Sequence, residues 1–191
     1  MIYLASSSPR RADLLRQIGI EFSVHAVDID ESRQRGEKPE EYVRRLATTK
    51  AQAAARELCE AGREGPVLAA DTTIALDGDI IGKPADKADC CCILGRLSAR
   101  EHIVLTAVAL AAKDEIACRL NCSRVRFRQL SAPEIEHYCA AGEPMDKAGA
   151  YAIQGRAAIF VEYLEGSYSS VMGLPLFETA ELLKEAGLQA I

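Results

Sequence analysis

The chain is poor in the features that mark several common protein classes. It has no long apolar run: the longest, near Val104 to Ala112, is too short to cross a bilayer. It has no charged start followed by a long apolar core, so a signal peptide is not expected. It has no basic excess. The formal net charge is −5, which argues against a general nucleic-acid binder but leaves room for a local basic pocket. Its histidines, His25, His102 and His137, are scattered and receive no role. Seven cysteines form no C-x-x-C unit, so a zinc site is not expected. The run Cys90-Cys91-Cys92 points three ways on a helical pattern and cannot act as one ligand set. All seven are read as free, apolar cysteines of a reducing compartment, which makes the expected location cytoplasmic. There is no internal repeat, no low-complexity tract and no Gly/Ser/Pro linker.

What remains is an ordinary globular composition, 49% hydrophobic and 27% charged over 191 residues, enough for one domain with a sizeable core. Met1 to Ala5 reads as a strand, and Ser8-Pro9 as the N-cap and first residue of a helix ending at Gly19. Ser6, Ser7, Ser8, Arg10 and Arg11 therefore stand at a helix N-terminus, where free N–H groups and dipole charge favour an anion such as phosphate. Phe22 to Ile29 reads as a strand with an acidic end, Asp28, Asp30 and Glu31. Pro39 opens a helix with apolar positions from Tyr42 to Leu58 and with Lys50 near that face. Val67 to Ala70 reads as a buried strand ending at Asp71-Thr72-Thr73, and Asp77-Gly78-Asp79 as a hairpin turn. A helix from about Asp86 to Leu97 follows. Two long strands, His102 to Ala112 and Glu115 to Phe127, are joined by Lys113-Asp114. Ser131 to Glu134 is a capping box, Ala157 to Leu164 a strand, and Pro175 to Ala186 the last helix. The pattern is α/β: a mixed twisted sheet with flanking helices.

The polar clusters Ser6 to Arg11, Asp30-Glu31, Asp71-Thr72, Gly82-Lys83-Pro84 and Asp146-Lys147 all fall at predicted element ends. Such ends gather around one crevice of an α/β sheet. Carboxylates hold a hard divalent cation, while lysine and arginine hold phosphate oxygens. Together they suit hydrolysis of a phosphate anhydride.

The strings Leu4 to Arg11, Ile29-Asp30-Glu31, Leu46-Ala47 through Lys50-Ala51, Ala70-Asp71-Thr72, Gly82-Lys83-Pro84 and Thr106-Ala107-Val108 carry a family pattern. Asp146 to Tyr151, Ile153-Gln154-Gly155 and Val171 to Pro175 continue it. With these the chain resembles the Maf family of nucleoside triphosphate pyrophosphatases. The resemblance implies one Maf-like domain over residues 1–191, an ITPase-like fold with two lobes around a cleft, and often a homodimer. It implies hydrolysis of a nucleoside triphosphate to the monophosphate and diphosphate with a divalent cation, Mg²⁺ or Mn²⁺; from the charge and the short apolar runs, neither nucleic acid nor membrane is expected as partner. By position, Asp71 corresponds to the proton acceptor, and Ser6, Arg11, Glu31, Lys50 and Lys83 to residues needed for activity. Ser6, Ser8 and Arg11 would hold phosphate oxygens, Lys50 and Lys83 the departing diphosphate, and Glu31 with Asp71 the metal. Arg10, Thr72 and Gln154 are the positions that separate pyrimidine-selective members from those taking 7-methylguanosine triphosphate. Arg, Thr and Gln imply a dTTP/UTP preference, with non-standard pyrimidine nucleotides as a house-cleaning target. A neutral Gln amide suits the O4 acceptor and N3–H donor of uracil or thymine. The alternatives are the 7-methyl-GTP preference and a non-catalytic regulatory or nucleic-acid-binding module linked to cell-division arrest. Ser170 stands where many members carry Asn.

Overall fold

The computed structural model describes residues 1–113 and 115–188. The chain runs β1 (Ile2–Leu4), α1 (Pro9–Gln17), β2 (Phe22–Val24), α2 (Pro39–Glu60), β3 (Val67–Leu76), β4 (Asp79–Ile81) and α3 (Lys87–Leu97). It continues through β5 (Glu101–Ala112), β6 (Glu115–Phe127), α4 (Ala132–Ala140), β7 (Val161–Glu165), α5 (Tyr168–Met172) and α6 (Leu176–Glu185). The seven strands form one sheet in the order β2-β1-β3-β5-β6-β7, with β4 also on β3. Pairs β1·β2 and β1·β3 are parallel, the others antiparallel. This is the expected mixed α/β sheet.

Alternation along β3 sorts the core. Val67, Ala69 and Ala75 face α2, together with Leu105, Ala107, Ala109 and Ala111 of β5. On α2 the facing residues include Ala47, Ala51 and Ala54, all fully buried. Small residues on both sides let the helix lie close to the sheet. Leu68 and Ala70 face the other way, into a cluster with Leu15 of α1 and Leu182 and Leu183 of α6. Ile74 and Leu76 share that second face but enter a separate cluster with α3, α4, Phe127 and Tyr151. Two apolar clusters thus occupy one face, one toward each end of β3. Between them, Thr72 lies opposite Thr106 in the ladder.

The same strand explains a gap in the sheet. On one edge, β3 pairs without interruption with β5 from Val67 to Ala75. On the other edge, β1 covers only Val67 and Leu68, and β4 covers Ile74 to Leu76. Among the described residues no strand covers the intervening five, so the sheet is notched there.

Several expectations need correction. Asp71 does not end a strand: β3 continues through it to Leu76, because β5 supplies ladder partners throughout. The strand expected over Phe22 to Ile29 stops at Val24, because its partner β1 stops at Leu4. The stretch expected as a strand from Ala157 begins as a short 3-10 helix, Arg156–Phe160, before β7. Tyr168–Met172, between that strand and the last expected helix, is a further short helix, α5. Cys90 and Cys139 are not free but joined in a disulfide. Packing of α3 on α4 brings their Cα atoms to 6.1 Å although they lie 49 residues apart. Cys59, Cys91, Cys92, Cys118 and Cys122 are free. Asp114, half of the expected β5–β6 connection, lies outside the described residues.

Candidate active site

The notch in the sheet opens into a cavity of about 680 Å³. Its lining includes Ser6, Ser8, Arg10, Arg11, Glu31, Lys50, Asp71, Thr72, Lys83 and Gln154, so every sequence-predicted site residue reaches one cleft. Asp146 and Lys147 join them.

The centre is a three-residue ion cluster. Lys50, on the sheet-facing side of α2, donates from Nζ to Glu31 Oε1 at 2.6 Å and to Asp71 Oδ1 at 2.7 Å. Asp71 meets it because β-alternation turns this side chain toward α2, on the same face as Ala69. Asp71 and Lys50 are nearly buried, whereas the Glu31 side chain is 49% exposed. Burial works to raise the Glu31 pKa. The Lys50 hydrogen bond and charge, helped by Lys83 and Arg11, outweigh it and hold the carboxyl below its ordinary value. Glu31 sits on a loop without regular structure, tied to α2 twice. Tyr42 Oη donates to the Glu31 carbonyl at 2.9 Å, and Arg45 bridges the Ser32 carbonyl and the Glu37 carboxylate.

Arg11 forms the second wall, and it is committed to the protein. Its Nε donates to the Gly173 carbonyl at 2.8 Å, one terminal nitrogen to Ser6 Oγ and the other to Thr72 Oγ1. Thr106 Oγ1 donates to the Ser170 carbonyl at 2.8 Å, which leaves its oxygen to accept from Thr72 at 3.0 Å. A directed chain thus runs from Arg11 through Thr72 and Thr106 to the backbone of α5. Loss of water around Arg11 lowers its pKa, opposed by the charge of Asp71. Ser8 does occupy the N-cap position of α1, but its side chain makes no cap hydrogen bond. Instead Ser6 Oγ accepts the Ser8 N–H at 3.2 Å. Thr106, the Gly173 carbonyl and Tyr42 were not singled out from sequence. The strings Thr106-Ala107-Val108 and Val171 to Pro175 contain the first two without giving them a role, and Tyr42 was read only as an apolar helix position.

The third wall carries the uncommitted cations. Lys83 follows β4 and is exposed. Beside it, the Gly149 N–H donates to the Gly82 carbonyl at 2.9 Å, docking the Lys147–Ala150 turn against the Lys83 segment. Gly149 has φ +69°, and a Cβ there would fall 2.3 Å from Ile74 Cδ1, so only glycine lets the turn seat on β3. Asp146 and Lys147 pair with each other. Arg10 is half-buried, and burial lowers its pKa against the pull of Asp146. Among the described residues, Arg10, Lys83 and Gln154 make no side-chain hydrogen bond within the chain. They are free to meet a ligand.

The carboxylates converge without completing a metal cage. Among the described residues no group of three or more His, Cys, Asp or Glu side chains could hold an ion. Glu31 and Asp71 meet at one point, the Lys50 Nζ. A pair of this kind fits Mg²⁺, which commonly binds one or two carboxylates and completes its shell with water and substrate phosphate.

The family described as Maf-like protein matches residues 1–186. The chain is 55% identical over 198 aligned residues to a protein of Aromatoleum aromaticum, covering 97% of this chain and 95% of that protein. It is 50% identical to a protein of Cupriavidus metallidurans, with 98% of each covered. It is 51% identical to one of Ralstonia nicotianae, with 98% and 94% covered. All three are named dTTP/UTP pyrophosphatase. Among solved structures, the Staphylococcus aureus Ham1 protein aligns at TM-score 0.47 and 20% identity, over 66% of this chain and 71% of that one. No helix of the described residues is long and apolar enough to cross a membrane. The match runs from the first strand past the last helix, and the chain belongs to the Maf-like protein family.

Proposed function

We propose that this cleft hydrolyses dTTP and UTP between the α- and β-phosphates, releasing the nucleoside monophosphate and diphosphate. The observation that carries the reading is the Glu31–Lys50–Asp71 cluster facing the free cations Arg10 and Lys83 across one cavity. The names of relatives at 50–55% identity supply the nucleotide.

Lys50 occupies Asp71 Oδ1, so the second carboxylate oxygen is the one that accepts a proton from the attacking water. Lys83 neutralises charge growing on the departing diphosphate, and Lys50, held between Glu31 and Asp71, adds its positive charge beside it. Arg11, held on three sides, cannot swing with the substrate. It acts as a fixed positive wall that presents Ser6 and the start of α1 to phosphate oxygens. Glu31 and Asp71 would hold Mg²⁺ or Mn²⁺, which supplies a Lewis acid for the phosphate oxygens when bound. Gln154 and Arg10 read the pyrimidine edge. The Thr72 hydroxyl is spent on Arg11 and Thr106, and its contribution to selectivity runs through the Arg11 wall. Five free cysteines and a nucleotide substrate suit a cytoplasmic enzyme acting as one domain, with the disulfide as the exception.

A panel of dTTP, UTP, CTP, GTP and 7-methyl-GTP, with diphosphate, orthophosphate and monophosphate each quantified, tests this. Diphosphate release confined to dTTP and UTP and lost in EDTA is expected. Orthophosphate as first product, full activity in EDTA, or preference for 7-methyl-GTP overturns it.

A further inference from the structure

Gln154 sits on a short turn, and the structure shows what holds that turn. The Gly155 N–H donates to the Ala152 carbonyl at 2.9 Å, closing the bend over Gln154. Before the bend, the Ala152 N–H donates to Tyr138 Oη at 3.2 Å. Tyr138 Oη in turn donates to Glu143 Oε1 at 2.9 Å. After the bend, the Arg156 N–H donates to the same carboxylate, at 3.1 Å to Oε1 and 3.3 Å to Oε2. The two flanks of Gln154 are therefore fastened to one tyrosine–carboxylate pair. Tyr138 is itself fixed: it is 3% exposed and packs edge-on against Phe160, with ring centroids 5.2 Å apart. Gly155 makes the approach possible, since a Cβ there would fall 2.4 Å from Glu143 Oε1. Neither Tyr138 nor Glu143 lines the cleft.

We propose that Tyr138 and Glu143 are positioning residues for base selection: they fix the Ala152–Arg156 turn so that the Gln154 side chain is presented at one place, within reach of the pyrimidine edge. The proposal rests on the reading of the cleft as a dTTP/UTP site. A neutral amide discriminates only when it is held within hydrogen-bond reach of the base edge, because a loose turn lets the side chain withdraw and leaves the base unread. The carboxylate suits the task. It accepts from the tyrosine hydroxyl and a backbone N–H at once, and such charge-assisted bonds are stronger than neutral ones.

The test is the ratio of kcat/KM for dTTP to that for GTP in Tyr138→Phe, Glu143→Ala, Glu143→Gln, Gln154→Ala and the double variant Glu143→Ala/Gln154→Ala. Folding is checked by near-ultraviolet circular dichroism. Tyr138→Phe and Glu143→Ala are expected to lower the ratio by about tenfold, the size of one lost hydrogen bond, mainly through a higher KM for dTTP. Glu143→Gln, which keeps one acceptor oxygen, recovers most of the ratio. The double variant is no less selective than Gln154→Ala alone, because the clamp acts through that side chain. A merely structural role would remove active enzyme equally for both nucleotides and leave the ratio unchanged. If Gln154→Ala loses selectivity while folded Tyr138→Phe keeps it, or if the double variant is additive, the clamp is refuted and the base reading stands. If Gln154→Ala itself keeps selectivity, the base reading falls and takes the clamp with it. Should Glu143→Ala fail to fold, Tyr138→Phe, which removes a single hydroxyl, decides.

Discussion

At the heart of the cleft one ammonium, that of Lys50, bridges two carboxylates, those of Glu31 and Asp71. Asp71→Asn keeps the shape of the carboxylate and its contact with Lys50 but removes the proton acceptor. Turnover is expected to fall roughly 10²–10⁴-fold with the fold intact, read as kcat beside a thermal melt. Lys50→Met has a different signature. Lys50 is what overcomes burial and keeps the Glu31 carboxyl below its ordinary value. Without it, burial, which favours the protonated form, is opposed only by Lys83 and Arg11, so the Glu31 pKa rises. The group must be ionised to work, so the acid limb of the kcat/KM profile moves to higher pH. An acid limb that stays put in Lys50→Met removes Glu31 from that limb. These residues were legible in the sequence as types and spacing. Their mutual bonding was not, because Glu31, Lys50 and Asp71 come from a loop, a helix and a strand that only the folded sheet brings together. Arg11 was legible as a cation at a helix start, but not its capture by Gly173, which is 162 residues away.

Among the elements, α2 sets the position of Lys50, and it does so through alanines. Ala47, Ala51 and Ala54 are fully buried against a sheet face that also carries Ala69, Ala107 and Ala109. Ala51→Leu overpacks this seam at a cost of about 1–3 kcal/mol. The helix can relieve it only by moving off the sheet, which carries the neighbouring Lys50 away from Asp71. Activity is expected to fall at temperatures where circular dichroism still reports a folded protein, whereas loss of activity that merely tracks unfolding would refute the coupling. Helices were the most legible elements: α2, α3 and α4 lie where spacing and caps put them. Strand ends were least legible. Asp71-Thr72-Thr73 looked like a terminus because polar residues are rare inside buried strands. Here two of the three have partners within the fold: Lys50 takes the aspartate on one face, and Thr106 takes Thr72 on the other. The end of β2 was hidden for the opposite reason, since Phe22 to Ile29 has the pattern of a strand but lacks a neighbour beyond Val24.

For the molecule as a whole, the cleft inverts the overall charge. The chain carries −5, yet the cavity is lined by Arg10, Arg11, Lys50, Lys83 and Lys147 against Glu31, Asp71 and Asp146. A positive recess in a negative body focuses anions into one place and repels them elsewhere. The KM for dTTP is expected to rise several-fold as KCl increases from about 0.05 to about 0.5 M, with kcat changing much less, because screening acts on the approach of the triphosphate. A KM indifferent to salt would mean that these charges are neutralised before the nucleotide arrives.

The uninterrupted ladder from Val67 to Ala75 has a mechanical meaning. The two apolar clusters that flank the cleft are threaded on one strand, and that strand carries Asp71 at its middle. A hinge needs a residue whose backbone dihedrals are free to change. Every residue at the floor of this cleft is locked by its pairing with β5, so the flanking lobes cannot fold toward each other about that point. Closure over a nucleotide is left to segments outside the ladder, such as the Glu31 loop and the Lys147–Ala150 turn, or to a uniform twist of the sheet. Amide hydrogen exchange separates a rigid spine from a bending one. The β3 and β5 amides that bond each other should exchange only by global unfolding, and nucleotide should slow them together and by one common factor, that of its effect on global stability, while the Glu31 loop, which opens locally, slows by a factor of its own. The chemistry would then be mounted on the least yielding part of the protein, and adaptation to substrate would be left to its rim.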